Sequence, residues 1–140
     1  MEIKLSDIAS RQMALAAQNA YPGECCGILL GKHTKGGDSD ENSEGGEIEV
    51  METREAPNQV QGAQKNAHFS IDPLFLYQVE QEIEGVGLEV VGFYHSHPDC
   101  DAVPSDEDYE KMVPGLAYVI LSVSKYGVKD IRSYKKTINY

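Results

Sequence analysis

Two histidines one residue apart, His95 and His97, with Ser105 and Asp108 a short distance beyond, are the residues here whose types and spacing can hold a metal ion. On an extended segment residues i and i+2 project from the same side, so both imidazoles can bind one ion. Asp108 falls in the first turn of an expected short helix, and the loop 98–104 can fold its carboxylate back onto the same ion. Two imidazoles and one carboxylate leave a fourth zinc position open. Water held there has its pKa lowered to about 7, which supplies hydroxide at neutral pH. A base must take the proton, and Glu24, after the helix-breaking Tyr21-Pro22-Gly23 and before an apolar run, is the candidate for that role and for later protonation of a leaving amine. Ser105 can donate to the oxyanion that forms at an attacked carbonyl.

Each of these residues also has an ordinary reading. A His-x-His pair alone fits two surface histidines near a turn; the Ser and Asp at fixed spacing separate the two cases. Glu24 alone would be a solvated strand-end residue, and Ser105 a plain helix cap, although one hydroxyl can do both jobs over a reaction cycle. Cys100, inside the loop between the histidines and Ser105, is either a thiolate within reach of the fourth zinc position or a small loop residue, and the second is preferred. His33 and His68 lack partners at ligand spacing and read as strand-end residues. Cys25 and Cys26 read as core filler.

The elements that must position these groups follow from periodicity. Ser6–Asn19, with Ile8, Leu15 and Ala16 near helical spacing, predicts a first helix capped by Ser6 or Asp7. Cys25–Leu30, closed by Gly31, is a buried strand with Glu24 at its mouth. Residues 34–46 contain no large apolar side chain and predict a mobile acidic loop. Glu47–Arg54 alternates as a strand, a further short strand is expected around His68–Ser70, and 56–66 between them is loop-like. Asp72 and Pro73 begin a second helix carrying Leu74, Leu76, Tyr77, Val79 and Ile83. Phe69, Leu74, Phe75 and Tyr77 are taken as core and helix-face residues. Leu88–Tyr94 is a central strand ending directly at His95. Ser105 caps a third helix to about Met112, and Ala117–Val123 and Val128–Tyr134 form a terminal hairpin. No internal repeat is visible.

With 140 residues and 41% hydrophobic content, the chain matches one domain spanning 1–140, with a core that needs no disulfides. The net charge of −11 argues against phosphate backbones and anionic membranes as partners, since both would repel this surface. Six of the negative charges lie between Asp38 and Glu49, so the excess is partly local; solubility explains that run better than a hook for a basic partner. No apolar stretch reaches the roughly 18 to 20 residues of a membrane span, and the N-terminus lacks a secretory pattern. Three cysteines without a CxxC pair fit a reducing compartment, so the cytoplasm is the expected location.

The string His95-Ser96-His97-Pro98, seven residues from His97 to Ser105, then two more to Asp108, with a glutamate upstream, resembles the motif of the JAMM (MPN+) metalloprotease family. Pro22-Gly23-Glu24-Cys25-Cys26-Gly27-Ile28-Leu29-Leu30-Gly31 looks like that family's first strand with its catalytic glutamate, and Val91-Gly92-Phe93-Tyr94 like its pre-motif strand. The resemblance implies an α/β fold, a curved mixed β-sheet flanked by helices in a cytidine-deaminase-like three-layer arrangement. It implies one zinc per chain held by His95, His97 and Asp108, acid–base work by Glu24 and oxyanion support by Ser105. It further implies cleavage of a peptide or isopeptide bond at the C-terminal Gly-Gly of a ubiquitin-like or sulfur-carrier protein, whose extended tail could pair along a sheet edge. A non-catalytic MPN scaffold is the alternative, although such domains typically lack one or more ligands; a small-molecule amidase is a third reading.

Overall fold

The structure, a computed structural model, describes residues 2–34, 46–59 and 70–137. The strand expected around His68 and most of the acidic loop lie outside the described residues. Six strands form one mixed sheet: β1 (Glu2–Leu5), β2 (Cys26–Thr34), β3 (Glu47–Ala56), β4 (Glu89–Pro98), β5 (Ala117–Ser124) and β6 (Gly127–Tyr134), in the spatial order β1-β3-β2-β4-β5-β6. β1 runs parallel to β3 and β4 parallel to β5, while the other pairings are antiparallel. Three helices accompany them: α1 (Asp7–Ala20), α2 (Pro73–Ile83) and α3 (Asp106–Lys111). The expected α/β class with a mixed sheet is what is found.

The two larger helices cover opposite faces of the sheet. Ala9, Met13, Ala16 and Ala17 of α1 pack with Leu29, Ile48, Val50, Val91, Val119 and Leu121. Val79 and Ile83 of α2 pack with Ile28 and Leu30, so neighbouring residues of β2 serve different helices, as the period of two requires. Each fully buried branched or aromatic side chain contributes about 1.5–3 kcal/mol, and these two clusters are what clamp β2 and β4 at the sheet's centre.

Several expectations are corrected. The buried face of α1 is its small-residue face: Ile8 and Leu15 are 62% and 59% exposed, because alanines let the helix backbone approach the sheet where larger side chains would hold it away. Leu74 and Tyr77 are likewise exposed, and α2 turns Phe75, Leu76, Val79 and Ile83 inward instead. β2 does not stop at Gly31 but runs to Thr34; Gly31 is a site of close approach, where a Cβ would stand 1.7 Å from the Glu49 carbonyl oxygen. β1 was not anticipated. It is short and half-exposed, and its partner lies some 45 positions along the chain, so little in the local pattern announces it.

The most consequential difference is in β4, which continues through both histidines to Pro98 and carries a bulge. Leu29 pairs with Gly92 while Leu30 pairs with Val90, leaving Val91 as an extra residue. The bulge changes the phase of the strand. Val90 and Phe93, three apart, both lie on the α2 side, whereas Val91 and Tyr94 lie on the α1 side. Without it, the residues in phase with Phe93, among them His95 and His97, would point into the α1 core. Gly92, beside the bulge, lets β5 come close, since a Cβ there would stand 1.7 Å from the carbonyl oxygen of Ala117.

Gly92→Ala is therefore expected to force β4 and β5 apart, at about 1–3 kcal/mol by the usual cost of overpacking. Thermal unfolding in chelator should show the melting temperature lowered by several degrees; an unchanged value would mean that the strands do not need the close approach.

Candidate metal centre

At the end of β4 three donor atoms converge. His95 Nε2 lies 3.1 Å from His97 Nε2, and Asp108 Oδ2 lies 3.3 Å from the first and 3.1 Å from the second. Ligands each 2.0–2.1 Å from one tetrahedral zinc stand about 3.3 Å apart, so the triad has the spacing of one face of such a site. The donor set, two neutral imidazoles and a carboxylate, suits zinc and leaves one position free.

Each ligand is held by a specific device. His97 donates through Nδ1 to the Asp101 carbonyl at 2.9 Å, which leaves Nε2 with its lone pair toward the triad. Asp108 belongs to a capping box: its backbone N–H donates to Ser105 Oγ at 3.0 Å, and the Ser105 N–H donates to Asp108 Oδ2 at 2.9 Å. The same carboxylate thus starts α3 and faces the histidines. Burial pushes the Asp108 carboxyl upward, but the contacts with His95, His97 and the Ser105 N–H outweigh it and hold the group well below the usual carboxylate range. Burial moves His95 the other way, down toward the neutral form a metal needs, while contact with Asp108 raises His97.

The loop joining β4 to α3 is tied down along its length. Asp99, at φ 55°, donates its N–H to the Val123 carbonyl at 2.7 Å and accepts from the Tyr21 hydroxyl at 2.8 Å. Ser122 Oγ donates to the Cys100 carbonyl at 2.6 Å, and the Tyr134 hydroxyl to that of Ala102. β5, β6 and the end of α1 together shape the segment that returns Asp108 to the histidines. Cys100 is exposed and borders a separate recess with Asp99, Asp101, Ser122 and Lys129.

Glu24 lies on the triad's inner side. One carboxylate oxygen, one nitrogen of His95 and one of His97 fall within 4.8 Å of one another. Geometrically Glu24 could be counted as a ligand in place of Asp108. The 3.1–3.3 Å separations favour Asp108 for that role and leave Glu24 as a neighbour. Glu24 is 7% exposed, and its Oε2 is buried without a hydrogen-bond partner. A buried carboxylate oxygen left bare costs free energy that nothing in the fold recovers, so its place is explained by a group that comes from outside, a water or a metal-associated ligand. Burial, aided by Asp108 and Glu107 and opposed by His97, raises its pKa to about 7. Its position is set by Ser96, which sequence reasoning missed: Ser96 Oγ accepts from the Cys25 N–H at 2.8 Å and its own N–H donates to the Cys25 carbonyl at 3.1 Å. The residue between the two histidines, facing the opposite way by the strand period, therefore stitches the glutamate strand to them; the signal was the alternation itself. Asn58 adds a bond to the Glu24 carbonyl at 3.2 Å.

Ser105 is exposed, and its oxygen already accepts a capping bond, so only its hydroxyl hydrogen is free to donate elsewhere. Cys25 and Cys26 are buried, and burial lifts their thiols to about 11 and about 12, which keeps both un-ionised at neutral pH. His33 pairs instead with Glu89 at the other end of β4, and His68 lies outside the described residues. Among the described residues no helix is long and apolar enough to cross a membrane.

A family model described as prokaryotic homologs of the JAB domain matches residues 7–135. A desampylase of Haloferax volcanii is 35% identical over 102 residues, 72% of this chain and 63% of that protein. A probable TtuB-protein conjugate cleaving protease of Thermus thermophilus is 33% identical over 63 residues, 45% of this chain and 39% of that one. The chain thus spans less than two thirds of the length of either. Among solved structures, the protein DSY2949 of Desulfitobacterium hafniense aligns with a TM-score of 0.67 at 28% identity, covering 91% of this chain and 88% of that one. AF2198, a JAB1/MPN domain protein of Archaeoglobus fulgidus, aligns at 0.54 and 21% identity over 94% and 88%, which speaks for the fold alone.

Glu24, held at a pKa of about 7 against an ordinary 4.5, binds its proton more tightly in the folded metal-free protein. That contribution to stability is complete below about pH 4.5 and is lost as the pH rises through about 7. In chelator, Glu24→Gln should accordingly be more stable than wild type at pH 8, by on the order of 1 kcal/mol or more, with the advantage gone below pH 4.5. Denaturant melts at the two pH values check this; a pH-independent difference would contradict the shift.

Proposed function

The chain belongs to the family of prokaryotic homologs of the JAB domain, and on that premise we propose that it is a zinc-dependent peptidase or isopeptidase acting at the C-terminal Gly-Gly of a ubiquitin-like or sulfur-carrier protein. The observation that carries the reading is the convergence of His95, His97 and Asp108 on one point, with the bare Glu24 oxygen beside it. His95, His97 and Asp108 are the residues that would hold one zinc ion per chain. Zinc bound there supplies a Lewis acid and lowers the pKa of a water to about 7.

The chain's own groups do the rest. Glu24 accepts the proton of the attacking water and returns it to the leaving nitrogen. Ser105 contributes the free hydrogen of its hydroxyl to the oxygen of the attacked carbonyl, while its oxygen continues to cap α3. The loop 99–104 fixes the ligands before any substrate arrives, which spares the reaction the cost of assembling them. The substrate class is supported by relatives whose names describe desampylation and cleavage of protein conjugates. Among the described residues the sheet ends at β1 and β6, with β4 between β2 and β5, so a tail adding as a strand to either of those edges would lie away from the strand that carries the histidines.

A non-catalytic scaffold is disfavoured by the same glutamate, because a purely structural fold gains nothing from a buried, unpartnered carboxylate. A carrier protein extended beyond its Gly-Gly, incubated with the zinc-loaded chain, should be cut after the second glycine. Glu24→Gln should keep about one zinc per chain yet lose at least about 100-fold in rate, and His97→Ala should lose both metal and turnover. Undiminished turnover by Glu24→Gln would sink the base assignment, and failure to cut any carrier or small amide, with zinc bound, would favour the scaffold.

A further inference from the structure

A cavity of about 430 Å³ opens from His95 and Asp108 toward α2 and the start of β5. Its wall is apolar, formed chiefly by Pro73, Leu76, Phe93, Met112 and Tyr118. The Tyr118 ring is fixed there, its hydroxyl accepting the Val113 N–H at 2.7 Å and its centroid 6.2 Å from that of Phe93. Lys111 stands at the rim as the lone lysine or arginine among the described residues that line the cavity. Its ammonium meets Glu107 at 3.0 Å in a solvent-exposed pair, the kind that yields readily to a competing anion. The groups assigned to hydrolysis leave both the apolar wall and Lys111 without a role.

Glycine has no side chain to fill such a space, so the Gly-Gly side of the scissile bond is not its occupant. The residue beyond that bond is. An apolar cavity of this size takes an aliphatic or aromatic side chain. A cation beside it takes an anion close to the reacting amide, and the anion every terminal residue carries there is its own α-carboxylate. On a chain of net charge −11, a lone lysine at this place is informative.

Resting on the hydrolase reading above, we infer that this cavity selects a single C-terminal apolar residue, whose free carboxylate pairs with Lys111. The chain then trims its carrier by one residue. The C–N bond after the second glycine breaks, the water oxygen joins the glycine carbonyl carbon, and the nitrogen leaves protonated as part of a free apolar amino acid.

The test compares four peptides with the zinc-loaded full chain: one ending in Gly-Gly-Phe, its C-terminal amide, one ending in Gly-Gly-Asp, and one with Gly-Gly joined to the ε-amine of a lysine inside a capped peptide. Wild type is expected to cleave the Phe acid at least about tenfold faster, in kcat/KM, than the other three. Lys111→Met, which keeps the aliphatic stem, should lose the preference for acid over amide. Equal cleavage of acid and amide, or a preference untouched by Lys111→Met, overturns the inference and leaves the hydrolase reading standing. Equal or faster cleavage of the ε-linked peptide does the same, and assigns the cavity to a lysine stem. Calorimetry of Gly-Gly-Phe and its amide with Glu24→Gln, alone and combined with Lys111→Met, gives a readout that needs no turnover. Acid-selective binding lost with Lys111, without cleavage of any peptide by wild type, supports the subsite while sinking the hydrolase reading. Neither binding preference nor cleavage sinks both.

Discussion

Everything at this site depends on holding three polar donor atoms within 3.1–3.3 Å of one another at a half-buried strand end. Such groups would ordinarily turn outward to water, so the backbone must impose their convergence. It does so in two ways. The strand period sends His95 and His97 to the same face, and the capping box gives Asp108 a reason to fold back that is independent of any ion. The loop between them is fastened by β5, β6 and Tyr21. The site is thereby largely formed before it is filled, and binding free energy need not be spent on ordering a loop.

The glutamate obeys the opposite logic. It is buried, its Oε2 has no partner in the fold, and burial raises its pKa to about 7 in the metal-free protein. The fold tolerates this strain because β2 is anchored on both faces of the sheet and because Ser96 ties Cys25 to the histidine strand. One residue thus serves two requirements: its neighbours His95 and His97 share the face on which Asp108 converges, while Ser96 itself ties down the strand end that carries Glu24. A buried carboxyl group set beside two imidazoles and a second carboxylate has the surroundings that a proton-transfer group needs.

Much of this was legible in the residues. The spacing from His95 to Asp108 is local, and strand alternation and helix capping are local rules, so the meeting of His95, His97 and Asp108 could be read without a fold. The class of the fold followed from the family resemblance, and the order of strands and helices read from periodicity agreed with it. What escaped was set by contacts distant in sequence. The bulge at Val91 depends on how β2 and β4 register, and a run of apolar residues gives no sign of it. The apolar spacing that announced α1 did not say which side is buried: Ile8 and Leu15 are exposed, and the close helix–sheet approach is made by the alanines and Met13. Gly31 looked like a stop and is a contact with Glu49. The bonds that fasten the loop 99–102 come from Tyr21, Ser122, Val123 and Tyr134, none of which carries a motif.

The central claim is that Asp108 completes the ligand set and Glu24 stands beside it as a base, although both carboxylates lie close to the histidines. Zinc affinity measured by competition with a chromophoric chelator separates the two at once. The account predicts that Asp108→Ala weakens zinc binding by at least about 100-fold while Glu24→Ala changes it by only a few-fold. The reverse order, with Glu24 essential and Asp108 dispensable, would contradict it.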